Sequence, residues 1–385
     1  MRKHICILSL AMPIENDPRT GRQIDALLPD HDLTIIGFGA PPDSVTWKPV
    51  GMATPAWRRL WEMTLIAIGR IAPRAYDLYF WSRPRYAEAF RHALDARADA
   101  YHASDWAMLP IAVRAARAHG AKVVYDIDEY WARFGESSRL WSLFFAPLTR
   151  HLEGRAIPGV DRAMTVSPAF VDRYQAEHGL DSILVYNAPP HQAVPYHPTD
   201  GAHIRLIHHG AAQADRRLET LVEALALLDD RFTLHFLLGN ANPPYLDLLR
   251  TLGERLAPGR VFFRDMVPYD RVVESIADCD IELCYMAPTT YTWLYTLPNK
   301  LFEAMHAGLA VLVAPSPAMA AVVRETDCGW VADGFSAPDL ADVLRPLTAE
   351  AIEQKRAHAR AASLTIDAAS EMAKVRALYA DLFRR

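Results

Sequence analysis

At 385 residues the chain is longer than one ordinary domain, and two or three are expected. Hydrophobic residues make up 51%, enough for a sizeable core, while a formal net charge of −5 gives no reason to expect a nucleic-acid partner. Cys6, Cys279, Cys284 and Cys328 have no metal-like spacing and read as buried or free thiols in a reducing compartment.

The opening Met1-Arg2-Lys3-His4-Ile5-Cys6-Ile7-Leu8 imitates a signal peptide, but the apolar run is short and soon meets Glu15, Asp17 and Arg19 without a cleavage site. It reads instead as a buried strand over residues 4–10. No segment offers the ~20 apolar residues that span a bilayer, so the protein is expected in the cytoplasm, at most touching a membrane from that side. Asp17 is a good helix N-cap and Pro18 a good first helical residue for a helix over 19–28. Strands are expected at 32–38, 100–102, 122–125, 163–166 and 183–186, with helices at 106–119 and 168–178. That alternation predicts a parallel sheet with helices on both faces.

Trp57, Leu60, Trp61, Thr64, Leu65 and Ile68 fall on one helical face. Seven arginines lie within 51–91 against Glu62, Asp77 and Glu88, and Trp131, Phe134, Trp141, Phe144 and Phe145 could join the apolar stripe. Aromatic residues with arginine suit an anionic membrane surface. The competing reading packs both stripes on the first sheet.

Around 187–200 the pattern breaks at Pro189, Pro190, Pro195 and Pro198, which reads as a linker. A second series follows, with strands expected at 204–208, 233–238, 260–263, 281–285 and 309–314. Helices are expected at 218–228, 245–256, 269–276 and, last, 370–383. His208-His209-Gly210 ends the first of these strands and opens a loop toward Arg216 and Arg217.

Leu297-Pro298-Asn299-Lys300-Leu301-Phe302-Glu303 then leads through Gly308 to the apolar run 309–314. Pro298 suits the first helical position and Gly308 the left-handed position after the helix. The amides of Asn299, Lys300 and Leu301 would lie unpaired at the positive end of the helix, a place for a diphosphate. Glu303, one turn in, could accept two sugar hydroxyls. The alternative is a surface pair of Lys300 with Glu303 at i, i+3.

Residues 298–311 resemble, nearly residue for residue, the donor-site pattern P-N-K-x-F-E-x-M-x-x-G-x-P-V of retaining GT-B glycosyltransferases, the family-4-like group that builds bacterial cell-surface glycans. Ala310 stands where that family has proline. Tyr295 stands where many members have a second glutamate. The resemblance implies an α/β chain of GT-B architecture, two Rossmann-like doubly wound domains facing a cleft. An acceptor-side domain would span 1–190, a donor-binding domain 201–367, and a final helix within 368–385 would cross back onto the first.

It also implies roles. Gly210 lets the backbone approach the donor, and Arg217 with Lys300 and the helix amides stabilises a departing diphosphate. Glu303 holds the nucleotide ribose, and Asn240 and Val267, at the ends of two later strands, line the base pocket. In the first domain, Asp17-Pro18-Arg19 resembles an opening found in some GT-B enzymes, so Arg19 or Gly21 would reach the donor phosphate or the acceptor. Relatives carry His-x-His-Asp where this chain has His102-Ala103-Ser104-Asp105, and His102 reads as a satisfied core histidine. Relatives carry Tyr-Asp-x-His-Glu where it has Tyr125-Asp126-Ile127-Asp128-Glu129. Asp105 and Asp128 would meet the acceptor hydroxyl, and Asp128 is either its base or a plain loop acid.

The implied reaction moves a sugar from a UDP- or GDP-linked donor to a glycan or lipid-linked acceptor, with no metal and no other cofactor. Two rivals remain at this stage. Ser104, Asp128, Tyr295 and Ala211 replace residues of active relatives, as in a non-catalytic subunit that binds a partner or nucleotide sugar, and a GT-B sugar-nucleotide epimerase would share the fold. Asp126-Ile127-Asp128 and Asp278-Cys279-Asp280 match the two-aspartate metal pattern of the GT-A fold, a pattern common by chance.

Overall fold

The computed structural model describes residues 2–53, 56–239 and 242–384; of residues 56, 57 and 59 only the backbone is described. The chain divides into two units. One comprises Met1–Tyr186, Thr290–Thr292 and Glu371–Arg385; the other comprises Asn187–Thr289 and Trp293–Ser370.

The first unit is built on seven strands: β1 (Lys3–Leu8), β2 (His31–Gly37), β3 (Thr46–Pro49), β4 (Ala100–Ala103), β5 (Lys122–Ile127), β6 (Arg162–Thr165) and β7 (Ser182–Leu184). They lie in the order β3-β2-β1-β4-β5-β6-β7, and each pairing is parallel. Ile5, Cys6, Ile7 and Leu8 are all fully buried because both faces of β1 are covered, so an unbroken apolar run rather than an alternating one marks the strand. Ile5 and Ile7 pack with Ile24 and Leu27 of helix Pro18–Leu27 and with Met372, Val375, Tyr379 and Leu382 of helix Ala368–Leu382.

Asp17 caps helix Pro18–Leu27, accepting from the Thr20 amide at 3.0 Å. Pro18 occupies the helical start expected of it. The edge strand β3 was not anticipated. It is four residues long and ends in Pro49, which a sheet tolerates only at its edge. Nor did the sequence pattern separate the three helices Ala56–Gly69, Arg74–Ser82 and Pro84–Ala96 that intervene before β4.

The second unit has six strands: β8 (Ile204–Ala211), β9 (Phe232–Gly239), β10 (Val261–Arg264), β11 (Ile281–Cys284), β12 (Ala310–Val313) and β13 (Gly329–Val331). Their order is β10-β9-β8-β11-β12-β13, again all parallel. Strand β8 runs three residues beyond the expected 204–208, so His209 and Gly210 belong to the sheet and not to the loop after it. Ile204, Leu206, Ile281 and Leu283 face one core, with Leu221, Leu249 and Leu340 from the helices over it. The intervening Ile207 and Glu282 therefore face the other side of the sheet.

In each sheet the strand order reverses once, between β1 and β4 and between β8 and β11. Such a reversal leaves a crevice beyond the carboxyl ends of the two strands, where open α/β sheets bind ligands. The motifs after β1, β4, β8 and β11 are thereby gathered into one such place in each unit.

Arg19 ties the first unit together. Its Nε and Nη2 donate to Asp126 at 2.7 and 2.6 Å, and Nη1 donates to the Val185 carbonyl at 3.0 Å. Gln23 donates to the same carboxylate at 2.7 Å. Both ionic partners are buried, so removing one strands the other. Arg19→Leu should destabilise the first unit by about 3–5 kcal/mol, read as a lower denaturant midpoint for its unfolding transition.

Candidate functional site

The donor motif forms helix Asn299–His306, which covers the face of the second sheet that carries Glu282. Pro298 is the extended residue before the helix rather than its first residue, and the Leu301 amide is bonded to the Pro298 carbonyl at 3.1 Å. Asn299 and Lys300 supply the first-turn amides that have no intrahelical acceptor. Gly308, at φ +73, takes the left-handed position expected of it.

Lys300 and Glu303 do not form a surface pair. They are 5% and 4% exposed, and each reaches a histidine of β8. Lys300 Nζ is 3.1 Å from His208 Nε2, while His208 Nδ1 lies 2.7 Å from the Leu283 carbonyl. The carbonyl can only accept, so Nδ1 carries the proton and Nε2 accepts from the ammonium. Burial and the neighbouring Lys300 charge keep His208 well below the usual histidine range, hence neutral. His209 lies between two carboxylates, with Nδ1 2.9 Å from Glu282 Oε2 and Nε2 2.7 Å from Glu303 Oε2. Burial opposes its charge, but Glu282 and Glu303 outweigh it and bring the imidazole up to about 9.

Gly210 has φ +125, and a side chain there would meet Lys300 Nζ and Arg216 Nη1 at 3.4 Å. Only glycine leaves that backbone open. The guanidinium beside Lys300 is thus that of Arg216, stacked 4.9 Å over Trp293, whereas Arg217 is exposed, left-handed at φ +54, and lines a separate cavity of about 520 Å³ with Thr220, Glu223 and Pro338. Burial and Arg216 bring Lys300 down to about 8. A lysine, an arginine and the positive end of a helix converge here, an arrangement suited to a polyanion. Val267 lies in the loop after β10, at the far edge of the sheet, and Asn240 lies outside the described residues.

In the first unit, Arg19 is committed to Asp126 and Val185, and Gly21 sits inside helix Pro18–Leu27. His102 is a core histidine, its Nδ1 bonded to the Tyr379 hydroxyl at 2.8 Å, and burial brings it down to about 4. Ser104 is buried beside it. Asp105 accepts from the amides of Ala107 and Met108 at 2.6 and 3.0 Å, capping the turn before helix Leu109–His119; burial raises it to about 6. Asp128 accepts from Trp131 Nε1 at 3.0 Å, and burial followed by the nearby Glu129, Asp105 and Asp126 raises it well above the usual carboxylate range. Three of the four aspartates in the two-aspartate patterns are paired with arginines, Asp126 with Arg19, Asp278 with Arg264 and Asp280 with Arg356, while Asp128 accepts from Trp131.

Sequence reasoning quoted the His208-His209 pair without giving it a role, and it missed Glu282. The signal was present: Glu282 is the only charged residue in the strand Ile281-Glu282-Leu283-Cys284, which otherwise reads as fully buried.

Comparison with known proteins places the chain. A family model described as "Glycosyl transferase 4-like domain" matches residues 18–190, and one described as "Glycosyl transferases group 1" matches residues 203–350. No curated protein matches the sequence. Among solved structures, Alr3699/HepE of Anabaena, in complex with UDP, is 15% identical with TM-score 0.70, over 99% of this chain and 100% of that one. Sucrose-phosphate synthase from Thermosynechococcus elongatus is 14% identical with TM-score 0.75, over 100% of both chains. WaaG, a glycosyltransferase involved in lipopolysaccharide biosynthesis, is 17% identical with TM-score 0.68, over 97% of this chain and 98% of that one. The chain thus carries two glycosyl transferase domains, shares the GT-B fold of these structures, and is a glycosyltransferase.

The histidine has a measurable signature. Its raised value contributes stability that is complete below the unfolded value near 6.5 and is lost as pH rises through about 9. Relative to His209→Asn, the wild-type protein should lose about 1.4 kcal/mol of stability per pH unit between pH 7 and pH 8. Lys300, lowered to about 8, has the opposite sign above that pH. Denaturant titrations of both proteins across this range check it.

Proposed function

We propose that the enzyme binds a nucleoside diphosphate sugar, UDP- or GDP-linked, in its second unit and transfers the sugar to a glycan or lipid-linked acceptor. The observation that carries this reading is the convergence of Lys300, Arg216 and the start of helix Asn299–His306 at Gly210, with Glu303 one turn away. The cations face the diphosphate, whose charge grows as the sugar leaves. Glu303 accepts from the ribose hydroxyls. HepE was solved with UDP and WaaG is involved in lipopolysaccharide biosynthesis, which supports a nucleotide donor and a bacterial cell-surface glycan as product.

Transfer proceeds with retention and without a metal. The bond from the anomeric carbon to the diphosphate oxygen breaks with its electron pair going to phosphate, the acceptor oxygen forms the new bond, and its proton passes to a phosphate oxygen. The likeness of residues 298–311 to the retaining motif supports this path, which calls for no protein base. Asp105 and Asp128 then orient the acceptor hydroxyl, Asp105 being fixed by the Ala107 and Met108 amides and Asp128 by Trp131 Nε1. No cofactor beyond the donor is required.

The acceptor is lipid-linked, presented at the cytoplasmic face of an anionic membrane. No helix among the described residues is long and apolar enough to cross one. Leu65 packs inward, but Leu60, Trp61, Ile68 and Ile71 are exposed, as are Leu140 and Leu143 of the neighbouring segment, which Arg70 joins through the Leu143 carbonyl. Exposed apolar side chains among arginines suit a peripheral membrane contact.

Two measurements follow. A nucleotide at ~100 times its dissociation constant should add ~2.7 kcal/mol of stability. A thermal-shift panel of nucleoside diphosphates and nucleotide sugars should thus reveal the base, with the response lost in Glu303→Ala; silence across the panel sinks the donor site. Wild-type protein should sediment with liposomes containing anionic lipid, and Leu60→Glu with Trp61→Glu should abolish this without lowering the melting temperature. Wild-type protein that stays in the supernatant ends the membrane reading.

A further inference from the structure

Glu303 is a long, flexible side chain, and a carboxylate held only by its own helix would sample several rotamers. It is instead tied to strand β8. His209 Nε2 lies 2.7 Å from Glu303 Oε2, and the opposite nitrogen lies 2.9 Å from Glu282 Oε2. A neutral imidazole has one N–H and cannot donate to two carboxylates, whereas an imidazolium donates to both. Glu282 is 0% exposed, and among the described residues its Oε1 is buried without a hydrogen-bond partner and no donor is bonded to Glu303 Oε1. As a device for stability this is poor, since apolar residues of the same volume hold such a position at least as well. What it accomplishes is to fix one oxygen of Glu303 and leave the other to a ligand.

We propose that His209 is a positioning residue for the donor nucleotide: an imidazolium, anchored on Glu282, that clamps Glu303 Oε2 so that Oε1 accepts the ribose hydroxyls. This rests on the reading that Glu303 holds the ribose. The topology explains why the three residues meet. His209 and Glu282 sit on β8 and β11, the two strands at the reversal of the sheet, on the face that helix Asn299–His306 covers. The ionisable groups facing this point are neutral His208 from β8, Arg216 from the following turn, Glu282 and Cys284 from β11, and Lys300 and Glu303 from the helix. Lys300 and His209 titrate near one another, at about 8 and about 9, so nucleotide affinity alone mixes the two.

A ratio separates them. Titration calorimetry with UDP and GDP, and with their 2′,3′-dideoxy forms, gives for each base the factor by which the ribose hydroxyls strengthen binding. The contribution of Lys300 to the diphosphate cancels from that ratio. For the base that binds, the wild-type ratio should be about tenfold or more, and it should fall toward one as the pH rises past that of the histidine. His209→Asn keeps a donor toward Glu282 but loses the one toward Glu303, so its ratio should be close to one. His209→Gln, which can donate to Glu303, should recover part of it.

Glu282→Gln removes the anchor charge while keeping its shape. Its ratio should survive at pH 6.5 and collapse at a lower pH than in the wild type. His209→Asn with a full ratio, or a Glu282→Gln profile that superimposes on the wild type, overturns the proposal. If His209→Asn fails to fold, the Glu282→Gln profile decides by itself. Glu303→Gln distinguishes the two levels: an unchanged ratio in that variant removes Glu303 from the ribose and the proposal with it. A collapsed ratio in Glu303→Gln beside an intact one in His209→Asn leaves the donor site standing and removes only His209.

Discussion

Every strand in both sheets is parallel, and that constraint shapes what the rest of the chain can do. A parallel pair cannot close with a tight turn, so its strands must be joined by a crossover, helical at most connections here and a loop over residues 38–45 between β2 and β3. All carboxyl ends then fall on one side. Where the order reverses, the crossovers diverge to opposite faces and leave open backbone between them. In the second unit this happens between β8 and β11. The extra residues of β8 carry His209 and Gly210 to that opening, and helix Asn299–His306 lays its first turn across it.

The chemistry of that opening is a balance of buried charges. Lys300, Arg216 and a helix start bring positive potential together, which by itself disfavours the lysine's charge. Glu282 and Glu303 bring negative charge close by, and His209 between them takes up part of it. The result is a place where cations face one way and an oriented carboxylate another. A nucleoside diphosphate has the matching polarity, with phosphates at one end and ribose hydroxyls at the other.

The first unit uses its charges differently. Arg19, Asp126 and Gln23 form a closed buried network, and His102 is bonded to Tyr379 of the C-terminal helix. Arg19, which the resemblance brought toward the donor phosphate or the acceptor, is here structural. Asp105 and Asp128 remain close to the opening after β4 and β5, both with carboxyls raised by burial.

The amino-acid sequence by itself determined the alternation of strands and helices, the break near 187–200, the cap at Asp17, the left-handed Gly308 and the motif that names the family. All of these are local: they depend on periodicity, on backbone preference, or on a short contiguous string. Partner identity was not local. Lys300 and Glu303 are three apart, and their helical spacing suggested a pair with each other; the tertiary structure gave each a histidine more than ninety positions away instead. Arg217 had the expected spacing, yet the left-handed turn at that residue directs it outward and leaves Arg216 beside Lys300. Arg19 looked like a ligand-binding arginine and proved to be the partner of an aspartate 107 residues on. Burial converts such choices into firm ones, because a charge removed from water must find a partner within reach, and reach is set by packing of the fold and not by distance along the chain.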